Sequence, residues 1–276
     1  GFDLMGNFKS VTAYANNSVV ILTISALIAI GGLGFYVWVE IYNSKGTKRL
    51  SLHSRVVIYS TIALIVFGAI LMFIFEMNNP GTMKGMSVKD KILSSIFASV
   101  SPRTAGFNSI PLDKMTSAGN FLTIILMFIG GSPGSTAGGI KTTTAIILFM
   151  TVVSVVRGRE DTEIFKKRIN KEVVYKSLVI TVLGLGIVII VTMVLSITQS
   201  PNIPFEYFLY EATSAFATVG LTLGLTTKLT IVGKIIITLT MYAGRVGPLT
   251  IILALAKRKS GKSGTIKYPE DKILIG

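Results

Sequence analysis

Residues 121–156 read FLTIILMFIGGSPGSTAGGIKTTTAIILFMTVVSVV, an apolar run with a polar, glycine-rich middle. As one straight helix these residues would measure ~54 Å, nearly twice the ~30 Å hydrocarbon core of a bilayer. The middle, Gly130–Gly139, consists mostly of Gly, Pro and Ser, residues that disfavour helix. The run therefore predicts two half-helices joined by a loop at membrane depth. Backbone groups freed there must be satisfied within protein or in a water-lined cavity. The loop nearly matches the phosphate-binding pattern G-x-x-x-x-G-K-[ST]. Counting from Gly134, however, Ile140 intrudes between Gly139 and Lys141, and no strand pattern precedes it. A nucleotide cradle is rejected.

The rest of the chain agrees with a membrane setting. Half of the 276 residues are hydrophobic and 14% are charged, with a mean hydropathy of +0.67. Ser18–Val39, Val56–Phe75, Val173–Ile197 and Leu229–Ala256 are further runs long enough to cross. The reading is an all-α, polytopic integral membrane protein. Cysteine is absent, which excludes disulfides and thiolate metal sites within these residues. The net charge of +14 could suggest nucleic acid, but its placement argues for the lipid bilayer as partner. Sixteen of the 27 Lys and Arg lie in 40–55, 157–172 and 257–276. Alternating crossings put these segments on one side, and excess positive charge in short loops marks the cytoplasmic side. The chain is thus expected to start outside and to end with a cytoplasmic C-terminus.

An internal repeat organises the apolar runs. The stretch SIFASVSPRTAGFNSIPLDKMTSAGNFLTIILMFIGG begins at Ser95, and YEATSAFATVGLTLGLTTKLTIVGKIIITLTMYAGR begins at Tyr210. Gly106 precedes Gly130 by 24 residues, as Gly220 precedes Gly244, and the repeat period is 114 residues. Each unit reads as a span, a short helix, a glycine loop and a second span. Gly1–Phe2 matches Gly106–Phe107, with Ser18–Val39 as the span that follows. The expected division is 1–42, the filter end and last helix of one unit; 43–55, a cytoplasmic loop; 56–156, a complete unit with a broken second helix; 157–172, a cytoplasmic linker; 173–256, a complete unit; and 257–276, a cytoplasmic tail. Repeats in membrane transporters usually put the substrate path on their pseudo-symmetry axis.

The chemistry follows from the short segments Val88–Val100 and Pro204–Ala217. Neither can cross at ~1.5 Å per residue, and both carry polar groups. Each must re-enter and turn back as extended backbone, TAGFN (Thr104–Asn108) and TVGLT (Thr218–Thr222). Carbonyl oxygens of such loops can replace the hydration shell of a potassium-sized ion. Glycine permits the dihedrals that aim successive carbonyls one way, and a re-entrant helix turns its negative dipole end toward the path. A divalent ion, which needs carboxylates, fits poorly.

Together SVSPRTAGFN, GGSPGSTAGGIKTTT and SAFATVGLTLG resemble the Trk/Ktr/HKT superfamily of potassium transporters, in particular the membrane subunit of bacterial Ktr systems. The resemblance implies four such units arranged pseudo-fourfold around one K+ pathway in a bacterial plasma membrane, with the filter side extracellular. It places filter residues at Gly1, Thr104, Ala105, Gly106, Phe107, Thr218, Val219, Gly220 and Leu221, and K+ at their carbonyls. No covalent cofactor is expected, and Na+ is a candidate activating or coupled ion. It also implies a membrane homodimer and a cytosolic ring of nucleotide-binding (RCK-type) subunits that takes ATP or ADP. The docking surfaces available to that ring are 157–172 and the tail. Two and a fraction units cannot close such a pore, so the chain reads as N-terminally incomplete.

For the loop itself, the residues alone leave a gate and a plain kink open, and the resemblance favours the gate. Its members are Gly130, Gly131, Gly134, Ser135, Thr136, Ala137, Gly138 and Gly139, followed by Lys141 and, at the matching point of the next unit, Arg245. A charge within an apolar span must face a cavity or a partner. Arg245 therefore reads as a positive barrier below the filter, or as an ion pair or carbonyl cap. Glu211 is expected to support the filter from behind by accepting backbone hydrogen bonds. Arg103 either pairs with a carboxylate such as Glu211 or stays solvated. His53 reads as solvated, the mixed charges of 157–173 as a solvated helical face, and GGLG (31–34) and GLG (184–186) as helix-packing glycines. An enzyme lacks an acid–base cluster here. An organic-solute transporter with discontinuous helices is the remaining alternative.

Overall fold

The computed structural model describes residues 5–6, 9–44, 50–247 and 250. The fold is all-α except for one small hairpin. The helices are α1 (Ser18–Gly31), α2 (Phe35–Asn43), α3 (Leu52–Glu76), α4 (Val88–Val100), α5 (Ser117–Phe128), α6 (Thr142–Val156), α7 (Lys171–Thr198), α8 (Phe205–Phe216) and α9 (Ile231–Val246). Strands β1 (Glu163–Ile164) and β2 (Lys167–Arg168) pair antiparallel.

Helix starts follow side-chain caps, which satisfy amides that a helix cannot pair internally. The oxygens of Ser51, Ser87, Thr116, Asn170 and Thr230 accept from amides of the first turns of α3, α4, α5, α7 and α9. Helices α3 and α7 are long and apolar enough to cross a membrane. Beyond its charged first turns, α7 turns large apolar side chains outward: Ile189, Ile190, Met193 and Ile197 are exposed. Its buried positions include Ser177, Gly184 and Thr192. Small and polar residues face protein while bulky apolar ones face out, an arrangement suited to lipid and costly in water.

The short helices have the opposite environment. In α8, Phe208 and every residue from Tyr210 to Phe216 are buried. Its last turn is wedged between glycines. A Cβ on Gly244 of α9 would lie 1.7 Å from the Phe216 carbonyl oxygen, and one on Gly184 of α7 would lie 3.0 Å from the Phe216 ring. Phe216 also stacks on Phe128 of α5, with centroids 5.8 Å apart. Gly184 thus packs as read, whereas Gly186 has nothing within 4 Å.

Three expectations fail. Ser18–Val39 is not one straight span, because α1 and α2 meet at a 93° bend at Gly32–Gly34. The Trp38 indole donates to the Ile30 carbonyl across that bend, at 3.0 Å. Nor do the mixed charges of 157–173 form a helical face. Phe165 and Lys166 take positive φ (50° and 61°) and turn the chain into the hairpin, whose flank carries the Arg168–Asp161 pair at 3.1 Å. His53 is half-buried with its ring edge-on to Tyr36, 5.5 Å between centroids, rather than solvated.

Candidate functional site

Each short helix delivers a glycine loop with the same backbone signature. Thr104 and Gly106 have φ of 73° and 76°; Thr218 and Gly220 have φ of 55° and 89°. Left-handed φ at a threonine is strained, and such strain persists only where the surroundings enforce it. Here the enforcing bonds are to the ends of α4 and α8. The amides of Ala105 and Gly106 donate to the Ser101 carbonyl at 3.1 and 3.3 Å. Those of Thr218 and Val219 donate to the carbonyls of Ala215 and Ser214 at 3.0 and 2.9 Å, and the Gly220 amide donates to Ser214 Oγ at 3.1 Å.

With the amides tied back, the carbonyls stay open. Among the described residues, nothing donates to the carbonyl oxygens of Thr104, Ala105, Gly106, Thr218, Val219, Gly220 or Leu221. The Phe107 carbonyl differs, since the Ser101 hydroxyl donates to it. Phe107 and Leu221 line one small cavity together with Ser101 and Thr123, so the two loops are neighbours. Gly106, Val219 and Leu221 are buried, Thr104, Ala105 and Thr218 are half-buried and Gly220 is exposed; an array of open oxygens is suited to a desolvated cation.

The glycine-rich segment lies against this array. Its ends are stitched: the Gly130 amide donates to the Ile140 carbonyl (2.9 Å) and the Ile140 amide to the Phe128 carbonyl (3.2 Å). A Cβ on Gly138 would lie 2.4 Å from Thr218 Oγ1 and 2.6 Å from the Ala217 carbonyl oxygen. Gly134 and Gly139 have positive φ, 74° and 66°. Gly130 and Gly131 have no room for side chains, being packed against Gly138 and Ala137 of the same loop. Lys141 Nζ donates to the Ala137 carbonyl at 2.5 Å, and Ser135 Oγ donates to that of Ser132 at 2.6 Å. Arg245 donates to the Thr136 carbonyl. Two cations thus hold consecutive carbonyls of the loop.

The family profile described as TrkH, cation transport protein, matches residues 1–266. The chain belongs to the TrkH family of cation transport proteins. It is 41% identical over its whole length to the potassium/sodium uptake protein NtpJ of Enterococcus hirae and covers 61% of that protein. It is 38% identical, again over its whole length, to Ktr system potassium uptake protein B of Bacillus subtilis and covers 60% of it. The chain therefore spans about three fifths of these relatives. The crystal structure of the potassium transporter TrkH from Vibrio parahaemolyticus matches its fold with a TM-score of 0.68. That match has 17% identity and covers 87% of this chain and 52% of the other.

In this TrkH-family chain Glu211 differs from expectation in its partners. It accepts from the hydroxyls of Thr222, at 2.7 Å, and Thr226, not from backbone amides. Thr222 Oγ1 in turn accepts from the amides of Gly224 and Leu225 at 3.1 and 3.2 Å, so support reaches the loop through a threonine. Arg103 follows neither reading. It is buried, its Nη2 lies 3.4 Å from Thr61 Oγ1, and its Nε has no partner. Gly1 and the whole basic tail, 257–276, lie outside the described residues.

Sequence reasoning missed a second matched pair. Glu76, fully buried at the end of α3, accepts from the Thr116 amide and hydroxyl at 2.8 and 2.7 Å, and from Asn79 and Thr82 at 2.7 and 2.6 Å. One unit later the Thr230 amide donates to Gln199 Oε1 at 3.0 Å, and Gln199 Nε2 donates to Thr230 Oγ1 at 2.9 Å. A Cβ on Gly119 or Gly233 would strike the carboxyl or amide, at 2.5 and 2.6 Å. The available signal was T-x-x-G at 116–119 and 230–233, one repeat period apart.

Proposed function

We propose that this chain forms part of a potassium uptake pathway, with the filter built from Thr104–Phe107 and Thr218–Leu221 and completed by units beyond those described. The observation that carries this reading is the set of open carbonyls on both loops, each held by strained threonine–glycine backbone. In extended chain with uniform dihedrals, successive carbonyls alternate sides. Left-handed residues at alternate positions turn neighbouring carbonyls the same way, so oxygens gather on one face. Arrayed oxygens can stand in for water around K+, and the buried C-terminal ends of α4 and α8 add negative potential.

The loop Gly130–Gly139 is the gate below this filter. Its contact with Thr218 and Ala217 supports this reading, in which the cations of Lys141 and Arg245 at its edge oppose cation passage until it moves. Na+ acts as an activating or coupled ion. The protein is a membrane homodimer in a bacterial plasma membrane, with the filter side outside. A cytosolic ring of nucleotide-binding subunits that takes ATP or ADP docks on 157–172 and the tail. Uptake of radioactive rubidium into liposomes carrying the full-length protein, competed by K+, Na+ and amino acids, tests the reading. Competition by K+ is expected. Competition by an amino acid, with none by K+, would support the organic-solute alternative instead.

A further inference from the structure

The GGLG stripe at 31–34 reads as a packing motif, yet it is where α1 ends and α2 begins. Helix ends leave carbonyls and amides without intrahelical partners. Two of these are paired with the glycine-rich loop about a hundred residues on. The Gly32 carbonyl accepts from the Ser132 amide at 3.0 Å, and the Phe35 amide donates to the Gly134 carbonyl at 3.2 Å. Between them Gly34 takes φ 87°, ψ 148°, a conformation side chains avoid. A Cβ on Gly34 would also lie 2.4 Å from the Pro133 carbonyl oxygen. Conformation and space each demand glycine there.

We infer that the Gly32–Phe35 break is a clasp that positions the loop, with Gly34 and the Phe35 amide as its positioning groups. The inference rests on the gate reading of 130–139. Moving the loop off the filter while α1 and α2 stay in place strands four backbone groups: the Gly32 carbonyl, the Ser132 amide, the Phe35 amide and the Gly134 carbonyl. Little water is at hand to pair them at membrane depth. The clasp therefore favours the seated loop, and release requires the bend to move with it. The Phe35 ring takes no part, being 76% exposed; only its amide engages the loop.

The test measures rubidium uptake by the full-length protein in liposomes for G34A, F35P, R245A and, as a neutral glycine control, G186A. Pro is tolerated at the first position of a helix, and the ψ of Gly34 suits a residue preceding Pro. F35P thus deletes one donor with little other damage, and it decides the matter if G34A inserts poorly. Expected are uptakes raised roughly two- to tenfold, the worth of one hydrogen bond, with K+/Na+ preference unchanged and G186A at wild-type level. A purely structural lesion would lower uptake. If R245A raises uptake while well-inserted F35P stays at or below wild type, the clasp is overturned and the gate stands. If R245A has no effect either, the gate fails and the clasp with it.

Discussion

Gly138 and Thr218 approach so closely that a methyl group on the glycine would sit 2.4 Å from the threonine hydroxyl. This contact links the broken helix of one unit to the glycine loop of the next. It also brings Gly138 within reach of the Ala217 carbonyl, a backbone neighbour that cannot rotate away. G138A must displace the loop, the filter base or both. Rubidium uptake in liposomes is expected to rise several-fold as the loop unseats, and unchanged uptake in a well-inserted variant would remove the contact from the gating account.

Arg245 holds the Thr136 carbonyl of the same loop. R245A removes both the donor and a charge from an apolar span, so uptake should rise. R245K keeps the charge but replaces a planar fork with a flexible single head. It is expected to fall between wild type and R245A. Equal uptake for wild type and R245A would eliminate the barrier role.

Gly220 sits at φ 89° beside the strained Thr218. Left-handed backbone costs a side-chain-bearing residue roughly 1–2 kcal/mol. G220A should therefore turn the peptide toward ordinary dihedrals and rotate carbonyls away from their neighbours. Discrimination between K+ and Na+, read from competition against rubidium uptake, is expected to fall while protein yield changes little. G106A should behave alike, since both loops share the signature.

Glu76 satisfies four donors in a fully buried position. E76A would take their acceptor from the Thr116 amide and the Thr82 hydroxyl, costing about 3 kcal/mol, while Asn79 would keep the Lys114 carbonyl. The melting temperature of the full-length protein in detergent should drop by several degrees. E76Q should lose less, because an amide oxygen can still serve Thr116, as Gln199 serves Thr230. Q199A should cost less than E76A, having fewer bonds to lose.

Much of this was legible along the chain. The short helices α4 and α8 fall where length and polarity put them, and the break at 130–139 falls where Gly, Pro and Ser cluster. These features are local: hydropathy sets which segments lie in lipid, and glycine and proline decide where helix stops. A repeat period of 114 residues aligns Thr104 with Thr218 in the sequence itself. Loop dihedrals recur because the same short sequence follows the same helix end.

Only the tertiary structure decided which distant groups meet. The bend at Gly32–Gly34 has a weak local signal, since glycines in a span read equally as packing positions; its partner is the backbone of Ser132 and Gly134, which no side-chain pattern encodes. Nothing in the sequence singles out Glu76, whose donors include the amide and hydroxyl of Thr116, 40 residues on. For Arg103 the sequence leaves a carboxylate partner and solvent equally open, and the fold buries it beside a threonine hydroxyl. Composition and periodicity report how each segment meets lipid, protein or water. They carry little about main-chain pairings between segments, because every residue but proline offers the same amide and carbonyl, and only folding selects among them.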